Sequence, residues 1–257
     1  MRIAILGIGE VGSTLTRDLL AAGVEVWGWD PVPRNLPNGL RFAASNPDAT
    51  SDADLILSAN LAAVAVDVAR EVVPVLKPGQ VYADLNTAAP GIKQEIDQVF
   101  SGSPAQFTDV AIMAPIGPQR LRTPMLACGE GAARFAELLT PLGTPITVLD
   151  EPAGQAATQK LVRSIFYKGL AAVVIETLNA AEKLDLVAYA REQMMTILKD
   201  EDMIDRFVSG SKIHARRRIH EMEAVIEMLQ GLDVAPNTSD AARRNLEDLL
   251  ESTSVQE

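Results

Sequence analysis

Hydrophobic positions along this 257-residue chain follow two successive patterns. In the first, short continuous apolar runs of the kind that form strands buried on both faces alternate with stretches of helical period. Runs at residues 2–7, 24–30, 54–58, 81–85, 106–112, 125–128 and 146–149 predict strands. Residues 13–22, 61–76, 90–99 and 132–139 predict helices, the third of them entered through Pro90 at its first turn. Three prolines within residues 31–38 predict a loop. From Pro152 the strand pattern stops. Helices are expected at 154–183, 187–199 and 212–229, with a short helical stretch at 203–208 and a last helix at 239–250 that Ser239 would cap. Strands alternating with helices, then helices alone, predict an α/β chain: a doubly wound, mostly parallel sheet over residues 1–151 and an all-α domain over residues 152–257.

The first strand leads directly into Gly7-Ile8-Gly9-Glu10-Val11-Gly12, a helix pattern follows at once, and the second strand closes on Asp30. The chemistry that needs this order is the holding of a pyrophosphate. Gly7 permits the tight turn, Gly9 leaves room for phosphates to approach the backbone, and Gly12 lets helix and strand pack closely. The helix N-terminus adds N–H groups and the positive end of its dipole. An acid at the end of the second strand can hydrogen-bond the ribose hydroxyls, so the N-terminal domain reads as a Rossmann domain for NAD(P), with NAD favoured over NADP. Arg34 in the following loop keeps a 2′-phosphate open. In such sheets the ligand lies beyond the carboxyl ends of the strands, which draws attention to Asn60-Leu61, to Asn86-Thr87 and to the turn at residues 113–117.

Composition narrows the partners. A formal charge of −11 argues against nucleic acid, whose phosphates would be repelled. No apolar run reaches the length of a membrane span, and a cytoplasmic protein is expected. One cysteine, Cys128, and two histidines make a metal site improbable, and Cys128 reads as a small buried residue.

In the long helix at 154–183, Lys160, Ser164, Tyr167 and Lys168 stand at i, i+4, i+7 and i+8, along one face. A solvated face explains such a stripe. A lysine beside the cofactor explains it equally, because it can donate a proton to a carbonyl oxygen or accept one from an alcohol. At residues 216–222, Arg217, His220 and Glu221 fall on one side of a helix and offer a basic face for a carboxylate or phosphate, the alternative being pairing with the chain's many acids.

These segments resemble the β-hydroxyacid dehydrogenase superfamily, which includes 3-hydroxyisobutyrate, tartronate-semialdehyde and 6-phosphogluconate dehydrogenases, over nearly the full length. The family's motif G-x-G-x-x-x-K-x-x-x-N is met here by Gly154-Gln-Ala-Ala-Thr-Gln-Lys160-Leu-Val-Arg-Ser164, with Ala156 and Ser164 in place of the second Gly and the Asn. The resemblance implies that Lys160 is the general acid/base and that Ser164 meets a substrate hydroxyl. It aligns the family's M-L-P loop with Ala59-Asn60-Leu61 and its S-T pair with Asn86-Thr87. The family's substrate loop D-x-P-V-S-G-G is altered, since Met113, Ala114 and Pro115 stand where Ser-Gly-Gly would bind an acid group. In this the chain resembles a subgroup with a distinct 6-phosphogluconate-dehydrogenase-like C-terminal domain, whose segments match at residues 160–169 and 216–222. His220-Glu221-Met222 takes the place of the family's K-D-L, near the active site.

The resemblance implies a dehydrogenase that interconverts a hydroxy acid and its oxo form, a small carboxylate substrate, and a homodimer in which the apolar part of the long helix, residues 169–181, packs between subunits. The alternatives are an imine reductase-like enzyme, against which Lys160 argues, and a non-catalytic dinucleotide-binding sensor.

Overall fold

The computed structural model describes residues 1–254. Strand β1 (Arg2–Leu6) is apolar from Ile3 onward and is buried on both faces, as a strand inside a parallel sheet must be. The chain continues through α1 (Glu10–Ala21), β2 (Glu25–Trp29), β3 (Arg41–Phe42), α2 (Asn46–Thr50), β4 (Leu55–Ser58), α3 (Ala65–Val72), β5 (Val81–Asp84), α4 (Pro90–Val99), β6 (Gln106–Ile112), α5 (Ile116–Gln119), β7 (Met125–Cys128), α6 (Ala132–Leu139) and β8 (Ile146–Val148). The strands form one eight-stranded sheet in the order β3-β2-β1-β4-β5-β6-β7-β8. All neighbours are parallel except β6 and β7. The link between those two holds only the four-residue α5 and one 3-10 turn, too little to cross over the sheet, so the chain returns antiparallel.

Alternate residues of the strands feed two cores. Ile3, Ile5, Leu55, Leu57, Val81 and Ala83 pack with Leu15 and Leu19 of α1 and Phe135 and Leu139 of α6. Ala4, Leu6, Ile56, Tyr82 and Phe107 pack on the other face with Ala65, Ala69 and Val72 of α3 and with Ile96 and Phe100. Each such Leu, Ile or Phe contributes roughly 1.5–3 kcal/mol of burial. β3 and α2 have no counterpart among the expected elements. α2 is set by a reciprocal cap, in which Ser45 Oγ accepts from the Asp48 amide and Asp48 Oδ2 accepts from the Ala44 amide.

After β8 the chain is helical: α7 (Gln155–Lys183), α8 (Val187–Leu198), α9 (Glu201–Ile213), α10 (Ala215–Gly231) and α11 (Asn237–Ser254). The fold is therefore α/β with an all-helical second part, as the alternation of patterns predicts. Two compact units are present, Met1–Lys160 and the chain from Leu161 onward, so the first turns of α7 belong to the first unit. The second unit buries Ala171 and Val174 of α7 against Ile204 and Phe207 of α9, with Tyr167 edge-on to Phe207. The expected short helix at 203–208 is a full helix because Asp200 caps it, accepting from the Met203 amide.

Candidate active site

The glycine loop has the three properties that a phosphate cradle requires. Gly7 has φ +94° and lies so close to the next strand end that a Cβ would sit 2.7 Å from Ala59 O. Gly12 packs α1 onto β1, where a Cβ would meet Gly7 O at 1.9 Å. At Gly9 a Cβ would meet no atom within 4 Å, so that side of the loop is open for a ligand. Helix α1 starts earlier than the hydrophobic pattern suggests, with Gly9 as N-cap and no side-chain cap, and the amides of a helix's first turn are the donors that a bound anion uses. A pyrophosphate fits these residues: Gly9, Glu10, Val11 and Gly12 would hold it, with Ile8 buried beneath.

Asp30 follows β2 and is tied to this loop. Its Oδ2 accepts from the Ile8 amide at 2.7 Å and its Oδ1 from the Val32 amide at 2.8 Å. Each oxygen keeps further lone-pair capacity for ribose hydroxyls. Arg34 is exposed in the loop beyond. Leu61 is 70% exposed directly after Asn60, an apolar side chain at a strand end where a nucleotide can cover it.

At the carboxyl ends of β4 and β5 the expected residues meet. Asn86 Nδ2 donates to Asn60 Oδ1 at 3.0 Å and to Asp84 Oδ1 at 2.5 Å. Lys160 Nζ, on the second turn of α7, donates to Thr87 Oγ1 at 2.7 Å. Met113 is half-buried and packs with Ala111, Cys128 and Ala156. Ala114 is half-buried and Pro115 is exposed at the start of α5.

Beneath these residues lies a buried ionic cluster that the hydrophobic pattern does not announce. Lys93 of α4 is 1% exposed, and its Nζ donates to Asp84 Oδ2 at 2.6 Å and to Asp84 O at 2.8 Å. Asp109 Oδ1 of β6 stands 3.2 Å from the same Nζ, as an ionic contact rather than an aligned hydrogen bond. Burial opposes the charge on Lys93, but the two carboxylates outweigh it and hold its pKa above the ordinary value. Burial and the neighbouring Asp109 raise the pKa of Asp84 in spite of Lys93. Asp109 Oδ2 accepts from the amides of Gly154 at 3.1 Å and Ala157 at 3.0 Å, which pins the first turn of α7. Gly154 has φ +100°, and a Cβ there would press on Pro90 O at 3.2 Å, so this turn requires glycine. Cys128 is fully buried beside Asp109, and burial, then the Asp109 charge, push its thiol up to about 11. The sequence signal for the cluster is Lys93 itself, which shares a helix face with Ile96 and Phe100 at i+3 and i+7.

The second unit has its own polar cluster. Ser164 Oγ donates to Glu221 Oε1, and Lys168 Nζ donates to the same oxygen at 2.7 Å. Arg218 is buried, with its Nη1 donating to Ser211 Oγ at 2.6 Å and its guanidinium against Gly210. Tyr167 is half-buried, its ring facing the cations of Arg163 and Lys168. Arg217 and His220 are exposed, and His220 Nδ1 lies 3.0 Å from Glu223 Oε2. The inward face of α10 is thus that of Arg218, Glu221, Met222 and Val225, one residue round from Arg217 and His220.

Known proteins agree with this architecture. Residues 2–117 match the NAD binding domain of 6-phosphogluconate dehydrogenase, and residues 181–249 match a domain of unknown function. An uncharacterised 28.5 kDa protein of Methanothermus fervidus is 29% identical over 247 residues, 92% of this chain and 94% of that one. A conserved protein of unknown function, described as structurally similar to 3-hydroxyacid dehydrogenases, superposes with a TM-score of 0.76 at 25% identity, over 98% of each chain. The 3-hydroxyisobutyrate dehydrogenase of Mycobacterium tuberculosis shares the fold with a TM-score of 0.79 at 17% identity, over 96% of this chain and 92% of that one. The glycine cradle, a matching nucleotide domain and a matching helical domain support the β-hydroxyacid dehydrogenase superfamily for this chain.

Proposed function

We propose that the protein is an NAD(P)-dependent oxidoreductase that interconverts a hydroxy acid and its oxo form, with Lys160 as general acid/base. The observation that carries this reading is the 2.7 Å contact between Lys160 Nζ and Thr87 Oγ1. It holds the ammonium at the carboxyl edge of the sheet, where this class of fold receives its ligands. The dinucleotide, when bound, supplies or accepts the hydride. Lys160 donates a proton to the oxo oxygen in the reducing direction and accepts the hydroxyl proton in the other. Thr87 Oγ1 orients the Nζ, and Asn86, fixed by Asp84 and Asn60, shapes the floor beside it.

In this reading residues 1–151 hold the cofactor and residues 152–257 supply substrate and subunit contacts. Asp30 favours NAD over NADP, because a 2′-phosphate would meet its carboxylate. Ser164 is engaged by Glu221, and its substrate role acts through that pair. Met113, Ala114 and Pro115 line the substrate side and exclude the smallest hydroxy acids. Val162, Phe166 and Val173, all exposed on α7, form an apolar stripe for a second copy of the chain. Among the described residues no helix is long and apolar enough to cross a membrane, and we place the protein in the cytoplasm.

The test is a screen of hydroxy acids, polyol acids and cyclic imines against NAD and NADP, read as absorbance of the reduced nicotinamide. Turnover of a hydroxy acid supports the reading. Turnover of imines alone would favour an imine reductase, and tight cofactor binding without turnover would favour a sensor.

A further inference from the structure

Lys93 has no place in the chemistry above, yet it sits between both halves of it. It is sealed from solvent, so it touches neither substrate nor cofactor. Its ammonium is shared by two carboxylates, Asp84 and Asp109, which are register partners on adjacent strands and hold different parts of the site. Asp84 is hydrogen-bonded to Asn86, which leads directly into Thr87. Asp109 holds the Gly154 and Ala157 amides, and Lys160 follows on the next turn. The ammonium donates to Asp84 O and Asp84 Oδ2 and makes an ionic contact with Asp109 Oδ1. We propose that Lys93 is a positioning residue that locks the Asn86-Thr87 strand end and the N-terminal turn of α7 to one another, and so sets Lys160 against Thr87.

The physical reason is charge. Two buried carboxylates that approach a common cation repel one another once it is removed, and a medium of low polarity magnifies the repulsion. The α7 N-terminus stabilises Asp109 through its amides and dipole, whereas among the described residues the Asp84 carboxylate is held by the Asn86 amide group and Lys93. Loss of Lys93 should therefore free the Asp84 side first and loosen the α7 turn through repulsion of Asp109. Without the lysine, removing the Asp84 charge as well should restore the α7 turn but not the strand end.

The proposal rests on the dehydrogenase reading for its link to catalysis, but its test does not. Residue-resolved hydrogen exchange is measured on wild type, Lys93→Met and the double variant Lys93→Met/Asp84→Asn. In Lys93→Met the amides of Leu85, Gly154 and Ala157 should exchange roughly tenfold faster or more, while those of β1 keep their rates. In the double variant Gly154 and Ala157 should return to within about threefold of wild type, with Leu85 still fast. Should Lys93→Met fail to fold, the double variant decides alone. Unchanged exchange at Leu85 in either variant overturns the proposal. So does a uniform acceleration that includes β1, which would make Lys93 a plain stabiliser. NADH titration of the wild type runs beside it. Wild type that does not bind NADH rejects the oxidoreductase reading, while the exchange pattern still judges Lys93.

Discussion

Replacing Glu221 by glutamine strikes the ionic cluster of the helical unit at the carboxylate that Ser164 and Lys168 share. Glu221 Oε1 accepts from both Ser164 Oγ and Lys168 Nζ, and the two charged side chains are only 10% and 11% exposed. Glutamine keeps the shape and the Ser164 contact but leaves the Lys168 ammonium beside Arg218 and Arg163. Breaking a buried pair costs about 3–5 kcal/mol, and because Lys168 can shed its proton the lower end, about 3 kcal/mol, is expected at neutral pH. Burial, with the charges of Arg218 and Arg163, already lowers the Lys168 pKa from 10.5, and Glu221 opposes that shift. Between the lowered value and 10.5 the unfolded chain binds a proton that the native chain lacks, so stability rises with pH across that window and is constant below it. Removing Glu221 widens the window downward, and the deficit of the variant should shrink as pH is raised from neutral toward 10.5. Urea unfolding followed by helical circular dichroism measures this, because Trp27 and Trp29 both lie in the sheet unit and report on that part instead. The double variant Lys168→Met/Glu221→Leu should cost much less than the sum of its single changes. A loss under about 1 kcal/mol, or a deficit that does not respond to pH, would refute the reasoning.

Three further outcomes follow from the first unit and from α7. Gly9→Ala should leave the fold unchanged within about 0.5 kcal/mol, since its Cβ meets nothing, yet weaken NADH binding at least about tenfold; equal affinity would remove Gly9 from the phosphate cradle. NADH should bind more tightly than NADPH by fluorescence titration, and the reverse order would transfer the role of Asp30 to Arg34. Phe166, at 73% exposure, is the centre of the apolar stripe on α7, so light scattering should give a dimer mass for wild type and a monomer mass for Phe166→Asp; a wild-type monomer at micromolar concentration would dismiss the second copy.

The nucleotide unit is legible because its strands are buried on both faces and its punctuation is strict. Gly7, Gly9 and Gly12 follow β1 without a gap, and Pro90 opens α4 where the sequence puts it. What escapes the pattern is charge inside the core. Lys93 shares the face of Ile96 and Phe100, but its partners, the Asp84 and Asp109 strand ends, are brought to it only by the sheet, across non-local pairings that periodicity does not encode. On α10 the apolar residues Met222, Val225 and Leu229 choose the inward face, which takes Arg218 and Glu221 in and leaves Arg217 and His220 out. Three consecutive arginines cannot reveal which one turns inward. Gly210 falls between the stretches expected at 203–208 and 212–229 and is helical, and glycine is needed there because Arg218 lies 2.8 Å from the position of a Cβ.

The central claim is that Lys160 moves the proton, and Lys160→Met measured beside Lys168→Met addresses it most directly. On a substrate found by the screen, Lys160→Met should bind NADH within about twofold of wild type, since the glycine cradle and Asp30 are untouched, while turnover falls roughly a hundred-fold to ten-thousand-fold. Lys168→Met, assayed where it remains folded, should lose less than about tenfold. Near-normal turnover by Lys160→Met, or equal losses in the two variants, would contradict the account and pass the proton to another group.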